Sequence, residues 1–251
     1  MKNELISIVM PAFNAEKTIM DSIQSVIEQS YTHWELLICD DSSTDNTKSI
    51  VNSFKDSRIK LIENSFAKGA AGARNSCLEK TAGRFVSFLD SDDLWHKNKL
   101  KRQLSFMIAR QCHFSFCNYN VLVDGRVKGC FLAPAKISYN DLLKTCSIGC
   151  LTVMLDRKFF QEVLFPNTAK EDYYLWLNLL QNKKVCAYNV NEVLATYRIS
   201  EKSISANKFK EIFRQWKVLS RFESSYFKRV YYLCCYIVNG LMKQRKYRGS
   251  K

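Results

Sequence analysis

Short apolar runs alternate with segments of helical spacing through the first half of the chain. Residues 5–10 are a compact apolar run ended by Pro11, and residues 34–39 are a second. Both have the length of a buried strand. Between them, residues 16–29 place Ile19, Ile23, Val26 and Ile27 on one helical face. The alternation continues with a helix opening near Thr44 that carries Ile50, Val51 and Phe54. A strand at 59–62, a helix over 68–81 and a strand at 85–89 follow. Such an order predicts an α/β fold with a parallel sheet wound by right-handed crossovers. Further on, the pattern predicts a helix from Leu94 to about Gln111, a strand at 114–123 and a hairpin turn at Asp124-Gly125. Then come a strand at 126–132, a short helix at 138–145, a helix opening at Lys170, and strands at 184–190 and 193–198.

Carboxylates gather where two of these strands end. Asp40-Asp41 closes the second strand, and Asp90-Ser91-Asp92-Asp93 closes the fourth. In a wound sheet the carboxyl ends of the parallel strands share one edge, and ligands bind in the crevice there. Crowded carboxylates repel one another unless a hard cation sits among them. Mg²⁺ or Mn²⁺ suits oxygen ligands and usually bridges to phosphate oxygens. A helix N-cap is the alternative: Asp90 or Ser91 caps, and Asp92 and Asp93 lie in the first turn. That explanation would have to apply independently at both strands. Glu171-Asp172 also stands at a helix start, so capping and chemistry are both open there.

Four segments in order resemble the successive motifs of family-2 glycosyltransferases, inverting enzymes of bacterial cell-surface polysaccharide and lipopolysaccharide synthesis. They are Val9-Met10-Pro11-Ala12-Phe13-Asn14, Asp40-Asp41-Ser42-Ser43-Thr44-Asp45, Gly72-Ala73-Arg74-Asn75 and Phe88-Leu89-Asp90-Ser91-Asp92-Asp93. With Glu171-Asp172 the resemblance covers about residues 4–200. It implies a GT-A fold, a Rossmann-like and mostly parallel central sheet flanked by helices. It also implies a nucleotide-sugar donor, most simply a UDP-sugar. Pro11, Phe13 and Asn14 would then lie by the nucleobase, with Asp41 accepting from the uracil ring and Asp40 supporting the ribose or the loop. Arg74 would reach the base or the diphosphate, its alternative being a surface helix arginine. Asp90-Ser91-Asp92 matches the family's D-x-D motif. Asp92 would be the metal ligand, and Asp90 would bind the metal or the ribose. Asp172 would be the general base for the acceptor hydroxyl, oriented by Glu171. Arg198 would pair with phosphate in a closing loop with Ser200, Ser203 and Ser205. The histidine that many relatives carry shortly after that arginine is missing. So is the Q-x-x-R-W motif of processive synthases, which implies one sugar per encounter. A non-catalytic GT-A-like nucleotide-binding module in a membrane-associated assembly is the competing reading.

Other chemistries lose ground on the sequence. No G-x-G-x-x-G follows the first strand and no G-x-x-x-x-G-K-[ST] occurs, which disfavours dinucleotide cofactors and P-loop NTPases. Pro11-Ala12-Phe13-Asn14 is not the glycine- and lysine-rich loop of a nucleotidyltransferase. The ten cysteines form no C-x-x-C, and the three histidines do not pair with them at zinc-finger spacing. Free thiols in a reducing cytoplasm are expected. The start of the chain lacks the long apolar stretch of a signal peptide. No run reaches the roughly 18–20 apolar residues that span a bilayer.

Charge separates the two ends of the chain. From Ser205 onward twelve Lys or Arg face two Glu, so +10 of the formal +14 lies there. Aromatic and aliphatic residues are interleaved with the basic ones. We therefore expect a catalytic domain over 1–204 and a basic, aromatic helical tail over 205–251. Two readings of the tail stand level: an interfacial segment on anionic lipid, or helices packed on the domain or on a second copy as a homodimer. The absence of a recognisable motif argues against nucleic acid. A tail on the membrane surface would place the protein at the inner face of the plasma membrane, with a lipid-linked saccharide as acceptor.

Overall fold

The computed structural model describes residues 4–199 and 208–248. Four strands form one side of a ten-stranded sheet: β1 (Ile6–Ala12), β2 (Trp34–Asp40), β3 (Ile59–Glu63) and β4 (Phe85–Phe88). They pair in the order β3-β2-β1-β4, all parallel, as the alternation predicts. Chain order runs outward from β1 to β3 and then returns to the other side of β1 at β4. That reversal opens a crevice at the carboxyl ends of β1 and β4.

Side-chain alternation divides the core in two. Ile6, Ile8, Met10, Leu36 and Ile38 pack with α1 (Ile19–Ile27), α2 (Thr47–Ser53) and α4 (Lys99–Arg110). Val9, Leu37 and Cys39 point the other way, to α3 (Ala70–Lys80), α5 (Tyr139–Lys144) and α6 (Glu171–Lys183). Trp176 is fully buried in that second core.

Several elements depart from expectation. β1 runs through Pro11 to Ala12. Leu89 N–H donates to Val9 O, so odd-numbered backbone groups of β1 face β4. β4 pairs no further than Val9, and the N–H that Pro11 lacks has no ladder partner to lose. The helix expected from Leu94 is interrupted by β5 (Leu94–Trp95), and α4 begins at Lys99. Trp95 turns inward, where its indole N–H donates to Leu151 O at 2.8 Å. Past β4 the sheet is mixed. β9 (Met154–Asp156) lies antiparallel between β4 and β6 (Phe114–Val123). β7 (Arg126–Phe131) forms the expected hairpin with β6, and β8 (Lys136–Ile137) pairs with β10 (Ala187–Ile199). β10 replaces the two strands expected at 184–190 and 193–198. A bulge at the left-handed Asn191 keeps it continuous, held where Asn189 Oδ1 accepts from Asn191 N–H.

The tail forms α7 (Lys208–Phe222) and α8 (Tyr226–Arg248). Both pack on the domain. Val218 and Leu219 are buried in the core around α6, each stabilising by about 1.5–3 kcal/mol. Tyr139 O–H donates to Phe222 O at 2.9 Å. The boundary expected at residue 204 thus divides two stretches that share one apolar core. Among the described residues, no helix is long and apolar enough to cross a membrane.

Candidate active site

The rim at the carboxyl ends of β1, β2 and β4 is stitched together by its own polar side chains. Asn14 has a left-handed backbone. Its N–H donates to Ser43 Oγ at 2.9 Å, and its Oδ1 accepts from Thr44 N–H at 2.8 Å. The loop after β1 is thereby tied to the loop after β2. Phe13 stands half exposed beside it, with Lys68 Nζ 5.0 Å from its ring centre. Asp40 accepts from Ser43 N–H at 3.0 Å and lies 3.4 Å from Lys48 Nζ. Its Oδ1 is buried and has no partner among the described residues. Asp41 accepts from Asn64 Nδ2 at 2.7 Å and from Gly69 N–H at 2.8 Å. Gly69 has φ +121°, which glycine adopts without strain, so Asp41 shapes the turn that opens α3.

That turn delivers Arg74 to the centre of the site. Arg74 is buried, so it is no surface helix residue. Its guanidinium donates to Asp90 Oδ1 at 2.7 Å and to Glu171 Oε1 at 2.8 Å. Residues 16 and 97 positions away along the chain are joined by this one side chain. The guanidinium also bridges the loop after β4 to the start of α6. A buried charge is tolerable only with such partners.

Asp172 follows Glu171 on α6. Burial raises its pKa to about 6, Glu171 adds to the rise and Arg74 opposes it. Its Oδ1 accepts from the Tyr173 N–H at 2.7 Å. A cavity of about 350 Å³ lies in front of these groups, lined by Arg74, Asp90, Glu171, Asp172, Tyr119 and Tyr197, with residues 146 and 148–151 as a small and apolar wall. The capping reading of Glu171-Asp172 is therefore incomplete, since both side chains line a pocket.

Asp92 and Asp93 diverge. Asp93 is fully buried, and one oxygen accepts from Arg198 N–H at 2.8 Å. Burial, then Asp90 and Asp92, push its pKa well up. It fastens the loop after β4 to β10. Asp92 lies at the rim, and its pKa is raised by desolvation and by Asp90. Ser91 contributes its carbonyl, which accepts from Ser22 Oγ at 2.9 Å. Arg198 reaches Asp21 at 3.3 Å, while its Nε is buried without a partner among the described residues. Ser203 and Ser205 of the expected closing loop lie outside the described residues, as does Ser200.

No group of three or more His, Cys, Asp or Glu arranged to hold a metal exists among the described residues. Arg198 and Arg74 bear on Asp92 through charge, and Arg74 meets Asp90 through Oδ1 alone. One or two carboxylates completed by substrate phosphates is how Mg²⁺ usually binds, and this donor set fits that arrangement.

The structure thus gathers Arg74, Asp90, Glu171 and Asp172 around one cavity, with Asp92, Asp93 and Arg198 beside it. Pro11, Phe13, Asn14, Asp40 and Asp41 form the neighbouring part of the rim and do not line that cavity. Tyr119 and Tyr197 complete it from β6 and β10. Tyr119 carries no signal in sequence, because an aromatic on a buried strand is ordinary core.

Residues 7–128 match the sequence profile of glycosyl transferase family 2. The chain belongs to that family and is a glycosyltransferase, which sets aside the non-catalytic reading. Among its relatives is the Escherichia coli UDP-Glc:alpha-D-GlcNAc-diphosphoundecaprenol beta-1,3-glucosyltransferase WfgD, 52% identical over the full length of both chains. A second enzyme of that description from Escherichia coli, WfaP, is 45% identical over 96% of this chain and 95% of its own. Bacillus subtilis TuaG, a putative teichuronic acid biosynthesis glycosyltransferase, is 42% identical over 96% of this chain and 97% of its own. The fold is GT-A, as in S. aureus TarS 1-349 in complex with UDP. That match has TM-score 0.68 and 19% identity, and covers 91% of this chain and 69% of the other.

Proposed function

We propose that this enzyme transfers one glucose from UDP-glucose to a hydroxyl of a lipid-linked saccharide, with inversion at the anomeric carbon. The donor and acceptor classes rest on the two Escherichia coli relatives, whose names specify UDP-Glc and a GlcNAc-diphosphoundecaprenol acceptor. The observation that carries the chemistry is Asp172. It is a carboxylate with its pKa raised to about 6, and it faces a cavity whose other wall is Arg74 and Asp90.

Asp172 takes the proton from the acceptor hydroxyl as that oxygen bonds to the anomeric carbon. The bond from that carbon to the diphosphate breaks in the same step, and its electrons leave with the nucleotide. Glu171 and Asp90 are each bound to Arg74, so Asp172 is the carboxylate left to act as base. A single displacement of this kind inverts configuration. Glu171 keeps the Asp172 proton affinity high and holds Arg74 in place. Pro11, Phe13, Asn14, Asp40 and Asp41 form the nucleoside end of the donor site, and Ser91, Arg74 and Arg198 border its diphosphate. A divalent cation held by Asp92, with Asp90 beside it, would offset the charge on the departing diphosphate. The lipid-linked acceptor is met at the inner face of the plasma membrane, which the protein contacts peripherally through its C-terminal helices.

Thermal shift with UDP and Mn²⁺ tests the donor site. Stabilisation is expected in the intact protein, and Asp92→Ala is expected to remove it. Absence of any UDP effect in the presence of metal would refute the donor assignment. Transfer to a GlcNAc-diphosphate lipid, followed by NMR of the new linkage, tests acceptor and stereochemistry together. A retained α-anomer would overturn the single displacement.

A further inference from the structure

We infer that Lys170 is a positioning residue through which the C-terminal helices hold the catalytic carboxylate pair. It immediately precedes Glu171 and Asp172, and its backbone is left-handed at φ +60°, which is uncommon for a lysine. Its side chain is held by both tail helices. Lys170 Nζ donates to Gln215 Oε1 of α7 at 3.0 Å and to Tyr236 Oη of α8 at 3.0 Å. Glu211 of α7 lies 3.6 Å away, and the Tyr236 ring centre is 4.5 Å from the ammonium. Neighbouring residues of the first turn of α6 are gripped from the same side. Gln215 is fully buried and its Nε2 donates to Tyr173 Oη at 3.1 Å, while that hydroxyl donates to Leu142 O at 2.9 Å. Arg221 Nε donates to Tyr174 Oη at 3.1 Å, and Phe222 packs edge-on to that ring.

Residues 170, 173 and 174 are therefore fixed by α7 and α8, whereas 171 and 172 face the cavity on the other side of the same turn. Lys170 contacts neither the cavity nor the residues that line the nucleoside end. Its effect falls on the direction of the Glu171 and Asp172 side chains, not on the donor. A burial-only role for the tail would need no ammonium at this point and would be served by an apolar contact.

The inference rests on Asp172 as base, and the test separates the two. In full-length enzyme, Lys170→Met and Gln215→Leu are expected to lower kcat at least ~10-fold, with the KM for UDP-glucose changed less than ~2-fold. The acid limb of the kcat–pH profile should move, because the environment of Asp172 changes. Lys170→Arg, which keeps charge and donors, should restore most of the rate. Lys170→Met with full kcat and an unmoved pH profile, whatever its melting temperature, would overturn the positioning role. Near-normal turnover in Asp172→Asn would instead overturn the base assignment on which it rests.

Discussion

Asp172 sits in a place that favours its protonated form, and the consequences for rate and stability have opposite signs. Burial and Glu171 raise its pKa to about 6 from an ordinary value of 3.8. The base must be ionised to accept a proton, so transfer is expected to rise with pH through about 6 and level off above it. A kcat profile between pH 4.5 and pH 8 checks this, and a flat profile would contradict it. For folding the raised value works in reverse. The native state binds this proton more tightly than the unfolded chain. The resulting stabilisation is complete below about pH 4 and is lost as pH rises through 6. Asp172→Asn removes the ionisation, so at pH 7 it should raise stability on the order of 1 kcal/mol while lowering transfer at least ~10²-fold. Denaturant unfolding and turnover measured on one preparation test both. Asp90 and Asp92 stand out in the sequence because carboxylates recur at the ends of two strands, whereas Glu171 and Asp172 stand at a helix start and are singled out only by the family resemblance. Lys170 is singled out by neither. It reads as an ordinary residue before a helix until Gln215 and Tyr236, 45 and 66 positions later, are seen to bind it.

The turn before α3 shows how an element places a functional group it does not contain. Both Asp41 oxygens are engaged, by Asn64 and by the Gly69 N–H, and Arg74 stands one turn further on. Asp41→Ala would leave the Gly69 N–H without its acceptor, a loss of about 1–3 kcal/mol. Gly72→Ala is expected to be worse, because a Cβ there would collide with the Ala67 carbonyl and the backbone would have to shift. Both variants should unfold at lower urea concentration. Both should also bind UDP more weakly in proportion to the displacement of Arg74. A Gly72→Ala protein as stable as the parent would show that the turn is not tightly packed. β1, β2 and β4 can be read from sequence because each is short, mostly apolar and buried along almost all of its length, as a central parallel strand must be, whereas the edge strand β3, with Lys60 and Glu63 exposed, is legible from its place in the alternation. β5 cannot, since two residues ending in Trp95 look like the start of an amphipathic helix. The pattern divides β10 in two for a related reason: the bulge at Asn191 breaks the alternation without ending the ladder.

At the scale of the whole molecule, α8 is apolar on two faces. Tyr232, Leu233, Tyr236 and Asn239 turn inward to the domain and to Lys170. Phe227, Val230, Tyr231 and Val238 follow helical spacing on the opposite side, where Phe227 is 83% and Tyr231 55% exposed. A water-facing apolar stripe needs a partner. Lys228 stands beside it in sequence, and residues 205–251 carry a formal +10, so a partner that is both anionic and apolar is the expectation. An anionic bilayer has both properties, and a lipid-linked acceptor would be found there. The enzyme is expected to sediment with vesicles containing phosphatidylglycerol and far less with pure phosphatidylcholine. Raising salt to about 0.5 M should weaken the association. Phe227→Asp with Tyr231→Asp should reduce it at least ~10-fold without altering the UDP thermal shift, because neither residue touches the site. Removing the tail is a poorer test, since Val218 and Leu219 belong to the shared core and their loss would unfold what remains. Unchanged vesicle binding in the double variant would exclude this face as the membrane contact. If the same variant also converted a dimer to a monomer by light scattering, the stripe would be a contact between two copies of the chain.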